Sequence, residues 1–180
     1  MSNYYELLDL PLSYEVSSSD LDAHYRALSL QWHPDKVVDG DPKARLAALE
    51  RTAALNLAYK TLRDPMLRAS YLLKVLGKDL DDEGERTFQM DPKFLMEILE
   101  LREELDAVAK KGDVPRALEL GKQMAEREQA THHTIQTLFD EQVAAPDPQR
   151  LTKLADHVAA LRYYRRFQDE VSAIDEATQA

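Results

Sequence analysis

Apolar residues recur at helical spacing along most of this 180-residue chain. Tyr4 to Leu10 is a short apolar-rich segment closed by Pro11, long enough for two helical turns. Ser17-Ser18-Ser19-Asp20 then offers side-chain oxygens suited to capping a helix start. Leu21, Tyr25, Leu28 and Trp32 follow at intervals of 4, 3 and 4, a single apolar stripe that places Tyr25 and Trp32 in the core. Pro34 lacks an N–H and restricts His33 before it, so this helix stops there. Val37 to Pro42, around Asp39-Gly40-Asp41, reads as a polar loop.

A longer helix is expected from Pro42, a residue suited to a first turn. Its stripe includes Ala48, Leu55, Ala58 and Leu62, and it ends at Asp64-Pro65. Leu67 to Leu76 reads as one more short helix, stopped by Gly77. Two apolar-striped helices joined by a short loop pack antiparallel, which puts His33-Pro34-Asp35 at an exposed tip. Lys78 to Met90 carries Asp79, Asp81, Asp82, Glu83 and Glu85 with few apolar residues, the pattern of a linker. Asp91-Pro92 starts a helix that runs to Lys110-Lys111-Gly112, with cations and then glycine at its C-terminal end. Asp113 starts another, from Val114 to about Val143. Pro146-Asp147-Pro148 interrupts the chain, and a last helix spans about Gln149 to Ile174. The expected fold is all-α: a helical hairpin with short flanking helices over 1–76, an acidic linker over 77–90, and a three-helix bundle over 91–180.

Charge narrows the partners. Nine basic and ten acidic residues lie up to Leu76, against 14 and 23 from Gly77 onward, so the second half supplies nearly all of the net charge of −10. A polyanion binds where Lys and Arg concentrate, which argues against nucleic acid. A basic or mixed protein surface suits the second half better. No cysteine is present, which removes disulfides, thiolate metal sites and a cysteine nucleophile. No segment reads as a signal peptide or approaches the ~20 apolar residues of a membrane span, so no membrane partner is expected and the cytoplasm is the expected compartment.

Candidate chemistry is sparse. Glu128 and His132, four apart with His133 adjacent, are too few to imply a metal site. No glycine-rich phosphate loop and no nucleophile–base motif occurs, so neither an enzyme activity nor a cofactor is expected. A ferritin-like or hydrolytic metal centre would need several inward Glu and Glu-x-x-His motifs, which the spacing does not supply. The seam Phe94, Ile98, Leu101, Leu105 and Val108, spaced 4, 3, 4 and 3, already fills one helix face. At ~100° per residue Leu95, Leu99 and Glu103 fall on a different side, with Met96 beside them. Either both neighbouring helices cover a wide stripe, or this is a partner-binding face with Glu100 and Glu103 at its rim.

A tripeptide such as His33-Pro34-Asp35 occurs by chance in roughly one chain in a hundred of this length, so its context decides. The segment Tyr25 to Lys36 resembles the second helix and loop of J domains. So do Asn56 to Pro65, Arg68-Ala69-Ser70-Tyr71, and the opening Tyr4-Tyr5-Glu6-Leu7-Leu8. The resemblance implies that Asp35 engages a heat-shock-cognate ATPase and couples docking to hydrolysis. His33 and Pro34 would shape the loop, and Arg26 and Lys36 would lie on the docking side. An exposed carboxylate is suited to bidentate pairing with a partner arginine. Ala27 and Gln31 stand at positions often basic in general-purpose J domains, which implies weaker steering and a dedicated ATPase. The Gly/Phe-rich segment and zinc repeats of general folding J proteins are absent.

With Phe94-Leu95-Met96-Glu97-Ile98-Leu99-Glu100-Leu101-Arg102-Glu103-Glu104-Leu105-Asp106, the chain as a whole is similar to the HscB family of iron–sulfur co-chaperones, in its bacterial form without an N-terminal zinc segment. That resemblance implies two partners, an HscA-type ATPase and an IscU-type iron–sulfur scaffold protein. It assigns scaffold contacts to Leu95, Met96, Leu99, Glu100 and Glu103, and a later aromatic contact to Tyr163, while Tyr164 fits the core seam. Ala107 stands where the family carries a further acid, leaving one rim contact unmatched. A monomer is expected, with weak dimerisation through an exposed apolar face left open.

Overall fold

The helix starts are set by side-chain caps. The computed structural model describes residues 3–33, 42–80 and 90–179, which form seven helices and no strand. In α1 (Tyr4–Leu7), Asn3 accepts from the Glu6 N–H and the Glu6 carboxylate reaches back to the Asn3 N–H, a reciprocal cap. Ser17 caps α2 (Ser18–Gln31), Asp64 caps α4 (Pro65–Val75), Asp91 caps α5 (Pro92–Lys111) and Asp113 caps α6 (Val114–Ala144). The remaining helices are α3 (Pro42–Arg63) and α7 (Pro148–Gln179). Gly112 ends α5 at φ +68°, a left-handed geometry that costs glycine nothing.

Several boundaries differ from the sequence reading. The first helix is one turn, because Asp9 turns to φ +51° two residues before Pro11. α4 begins at Pro65 rather than Leu67, since the Asp64 carboxylate accepts from both the Met66 and Leu67 N–H groups. α7 runs five residues beyond Ile174. Of the segment read as a linker, residues 77–80 and 90 are described and Leu80 is buried; residues 81–89 lie outside the described residues.

The chain divides into two compact units, Met1–Leu76 and Gly77–Ala180. The first has its core in Tyr5, Leu8, Tyr14, Leu21, Leu55, Ala58, Leu62, Ala69, Leu72 and Leu73. α2 and α3 run antiparallel: Tyr59 bonds Asp22, Tyr25 bonds Asn56, and Thr52 bonds the Trp32 carbonyl. α1 is tied down by Tyr4, whose ring stacks on Tyr71 at 4.1 Å and whose N–H donates to the Tyr71 hydroxyl at 2.8 Å. The Tyr5 hydroxyl donates to the Ser13 carbonyl, and burial pushes its pKa well up.

In the second unit α6 and α7 pack along their lengths, and α5 lies against both. Ile98, Leu105 and Val108 of α5 are buried, as the seam required, with Phe94 and Leu101 half-buried. Burying such a side chain stabilises by roughly 1.5–3 kcal/mol, against roughly 0–1 for an exposed ion pair. The pairs Arg127–Glu97, Arg116–Glu104 and Arg102–Glu170 therefore fix the register of α5 on its neighbours more than they hold it there.

Candidate partner-binding surfaces

The first surface lies where α2 ends. Trp32 is the C-cap, its N–H bonded to the Leu28 carbonyl at 2.9 Å. The Thr52 hydroxyl reaches both the Trp32 carbonyl (3.3 Å) and the Ala48 carbonyl (2.9 Å), pinning the exit of α2 to α3. Further along, the Tyr25 and Tyr59 rings stack at 4.1 Å. Tyr59 donates to Asp22 at 2.7 Å and accepts from Arg63 at 2.8 Å. The bond to Asp22 raises the Tyr59 pKa. Tyr25 and Trp32 are half-exposed, a correction to their assignment as core. Among the described residues this edge is built from α2 and α3, and both rings keep part of their surface open. His33 and Arg26 are exposed, as are Ala27 and Gln31. Pro34, Asp35 and Lys36 lie outside the described residues, and so does the loop expected from Val37 up to Pro42, where α3 begins.

The second surface is on α5. Leu95 is 39% exposed, Met96 57% and Leu99 52%. Single exposed apolar residues are ordinary, but three side by side on one helix face are not. The fully covered wide stripe is thus not what forms: the neighbouring helices leave Leu95, Met96 and Leu99 exposed. Glu100 and Glu103 are exposed on the same face. Arg127 and Arg116 take up Glu97 and Glu104, whereas Glu100 and Glu103 make no ion pair among the described residues. The face is therefore apolar at its centre and negatively charged at its rim. Ala107 is exposed beyond it and adds no charge.

Tyr163 on α7 is half-buried, and Tyr164 is buried as its seam position required. The Phe94 ring meets both edge-on, with centroids 5.7 Å from Tyr163 and 5.8 Å from Tyr164. Phe94, next to Leu95, thus links the α5 face to Tyr163. Helical spacing relates neighbours on one helix, so nothing in the sequence pattern joins position 94 to position 163.

The Glu128 carboxylate and His132 Nε2 are 3.7 Å apart, and no group of three or more His, Cys, Asp or Glu converges among the described residues. No described helix is long and apolar enough to cross a membrane.

Comparison with known proteins follows the same division. Residues 3–71 match the DnaJ domain and residues 90–172 the HSCB C-terminal oligomerisation domain. The chain is 32% identical over 178 residues to a co-chaperone protein HscB homolog of Vibrio atlanticus, covering 97% of each. It is 33% identical over 186 residues to one from Vibrio cholerae serotype O1, again with 97% of each covered. Among solved structures, chaperone HscB from Vibrio cholerae superposes with a TM-score of 0.82 at 29% identity, over 98% of this chain and 99% of that one. The Jac1 co-chaperone from Saccharomyces cerevisiae gives 0.73 at 25% identity, over 96% and 94%. Human co-chaperone protein HscB shares the fold, with a TM-score of 0.79 at 23% identity over 96% and 82%.

Proposed function

Since this chain belongs to the HscB family of co-chaperones, we propose that it binds an IscU-type iron–sulfur scaffold protein and delivers it to an HscA-type ATPase, whose hydrolysis it stimulates. The unit Met1–Leu76 is the J domain and actuates the ATPase; residues 91–180 hold the scaffold, joined to it through the acidic segment 77–90. The protein does no chemistry of its own and acts by stimulating its partner's hydrolysis, as its likeness to J-domain co-chaperones supports. It serves iron–sulfur cluster assembly by presenting one protein to another.

One observation carries the reading: Leu95, Met96 and Leu99 stand exposed beside a filled seam, with Glu100 and Glu103 unpaired around them among the described residues. A partner with an apolar patch ringed by Lys or Arg would desolvate the centre and find opposite charge at the rim. Tyr163, oriented by Phe94, extends the contact onto α7. At the other surface, Asp35 pairs with an arginine of the ATPase, His33 and Pro34 shape the loop, and Arg26 and Lys36 flank it.

Titration of apo scaffold protein against the wild type and Leu95→Ala/Leu99→Ala tests the cargo half. The double substitution is expected to weaken binding by on the order of 1–3 kcal/mol or more. A lowered melting temperature with unchanged affinity would instead make these side chains structural. Asp35→Ala tests the other half: the fold should persist and stimulation of ATP hydrolysis should vanish.

A further inference from the structure

Six of the ten large apolar side chains that stand exposed among the described residues lie on only two helix faces. Three of them form the centre of the α5 face. The others are Leu46, Leu49 and Leu57 of α3, at 57%, 49% and 54% exposure. Leu55, Ala58 and Leu62 are the buried residues of α3, and α1, α2 and α4 pack against it. At ~100° per residue, Leu46, Leu49, Ala53 and Leu57 fall on the opposite side, and Ala53 is exposed with them. The core of the first unit makes no use of this strip.

Its surroundings have a definite sign. α3 carries Lys43, Arg45, Arg51, Lys60 and Arg63 against Glu50 alone. By helical spacing Lys60 continues the strip beyond Leu57 and Arg45 flanks Leu49. Arg45, Arg51 and Lys60 make no ion pair among the described residues. The strip is therefore apolar with a cationic border, the counterpart of α5, where Leu95, Met96 and Leu99 are bordered by Glu100 and Glu103. Contact between the two removes both apolar centres from water and sets opposite charges at the rim. Neither face suits a copy of itself, since that would bring like charges together.

We propose that the chain associates head to tail, with the α3 strip of one copy seated on the α5 face of a second copy. Charge selects this occupant: a second copy offers an exposed apolar face of the required negative sign, at equal concentration. With about four side chains from each helix, the contact belongs to the weak class that buries less than about 1,200 Å². Association then keeps the α5 face covered until scaffold displaces the second copy. The inference goes beyond the co-chaperone reading and shares only the α5 face with it.

The test is sedimentation of the full chain over about three decades of concentration up to roughly 1 mM, at low and high salt. Leu49→Ala/Leu57→Ala blocks the α3 strip, and Leu95→Ala/Leu99→Ala blocks the α5 face. Each variant alone is expected to need at least about tenfold more protein than the wild type to associate. The α3 variant should melt within about 2 °C of the wild type, because the altered side chains are exposed. An equimolar mixture retains one good face of each kind, so it should recover association and stop at two chains. High salt should weaken the wild-type contact, and so should Lys60→Glu, a change confined to the exposed rim. Added apo scaffold should disperse the association. A wild type that stays monomeric throughout, or a mixture no better than its components, overturns the proposal. So does association retained by the α3 variant alone, which would mean α5 pairing with α5 or a strip that serves the ATPase instead. Scaffold that binds without dispersing the copies also overturns it. If scaffold does not bind at all, the scaffold reading falls, while the mixing result stands without it.

Discussion

His157 on α7 shows how one side chain couples stability to pH. Burial lowers its pKa below the usual histidine value, and the neighbouring Asp156 carboxylate only partly offsets this. The unfolded chain then binds a proton that the folded chain resists, so stability falls as pH drops through about 6.5 toward the folded value. Asp156 has the opposite sign in a lower window. Burial raises its pKa, with His157 and Lys78 pulling it back, so its effect is a penalty that grows as pH rises above the ordinary carboxylate value. Between neutrality and pH 6 the histidine dominates. Urea melts should therefore show stability declining over that interval in the wild type, and His157→Gln should flatten the slope. An unchanged slope would place the proton uptake elsewhere.

At the scale of elements, the α6–α7 contact contains one position where local propensity and packing disagree. Gly121 sits inside α6, where glycine costs about 1 kcal/mol relative to alanine. A Cβ there would lie 3.0 Å from Val171 Cγ1, and the Gly121 carbonyl accepts from Gln168 Nε2 at 2.8 Å. The close approach of α7 wins over propensity. Gly121→Ala should lower the melting temperature in the wild type, yet be neutral or stabilising by up to about 1 kcal/mol in a Val171→Ala background. Equal effects in both backgrounds would rule out the contact as the cause. Such cross-helix facts are what the sequence could not supply. Caps, stops and seams are local, so Ser17, Asp91, Asp113, Gly112 and the Ile98–Leu105–Val108 seam were legible in the chain. The reciprocal cap of Asn3 with Glu6 was equally local and went unread. The stacking of Tyr25 on Tyr59, the bond from Arg68 Nη1 to the Leu62 carbonyl of α3, and the link from Phe94 to Tyr163 depend on how helices meet. The α5 face was legible in part. Helical spacing showed that Leu95, Met96 and Leu99 were surplus to the seam, but only the placement of α6 and α7 decides that these two helices leave them exposed.

At the scale of the whole molecule, the two surfaces belong to separate compact units and share no side chain. Their chemistry also differs, since the first half is nearly neutral and the second carries almost all the negative charge. Sites that share no packing partner perturb each other little, usually by less than about 0.5 kcal/mol. The functions should therefore come apart. Leu95→Ala/Leu99→Ala is expected to stimulate the ATPase normally when no scaffold is present, while losing any increment that added scaffold confers. Asp35→Ala is expected to bind scaffold within about twofold of the wild type, since 0.5 kcal/mol is little more than that factor. Salt supplies an independent check: with Glu100 and Glu103 at its rim, the scaffold contact should weaken as ionic strength rises, and Glu100→Gln/Glu103→Gln should be both weaker and less salt-dependent. If Asp35→Ala reduced scaffold affinity as much as the α5 substitutions do, the two surfaces would act as one site, and a division into actuator and cargo holder would not describe this protein.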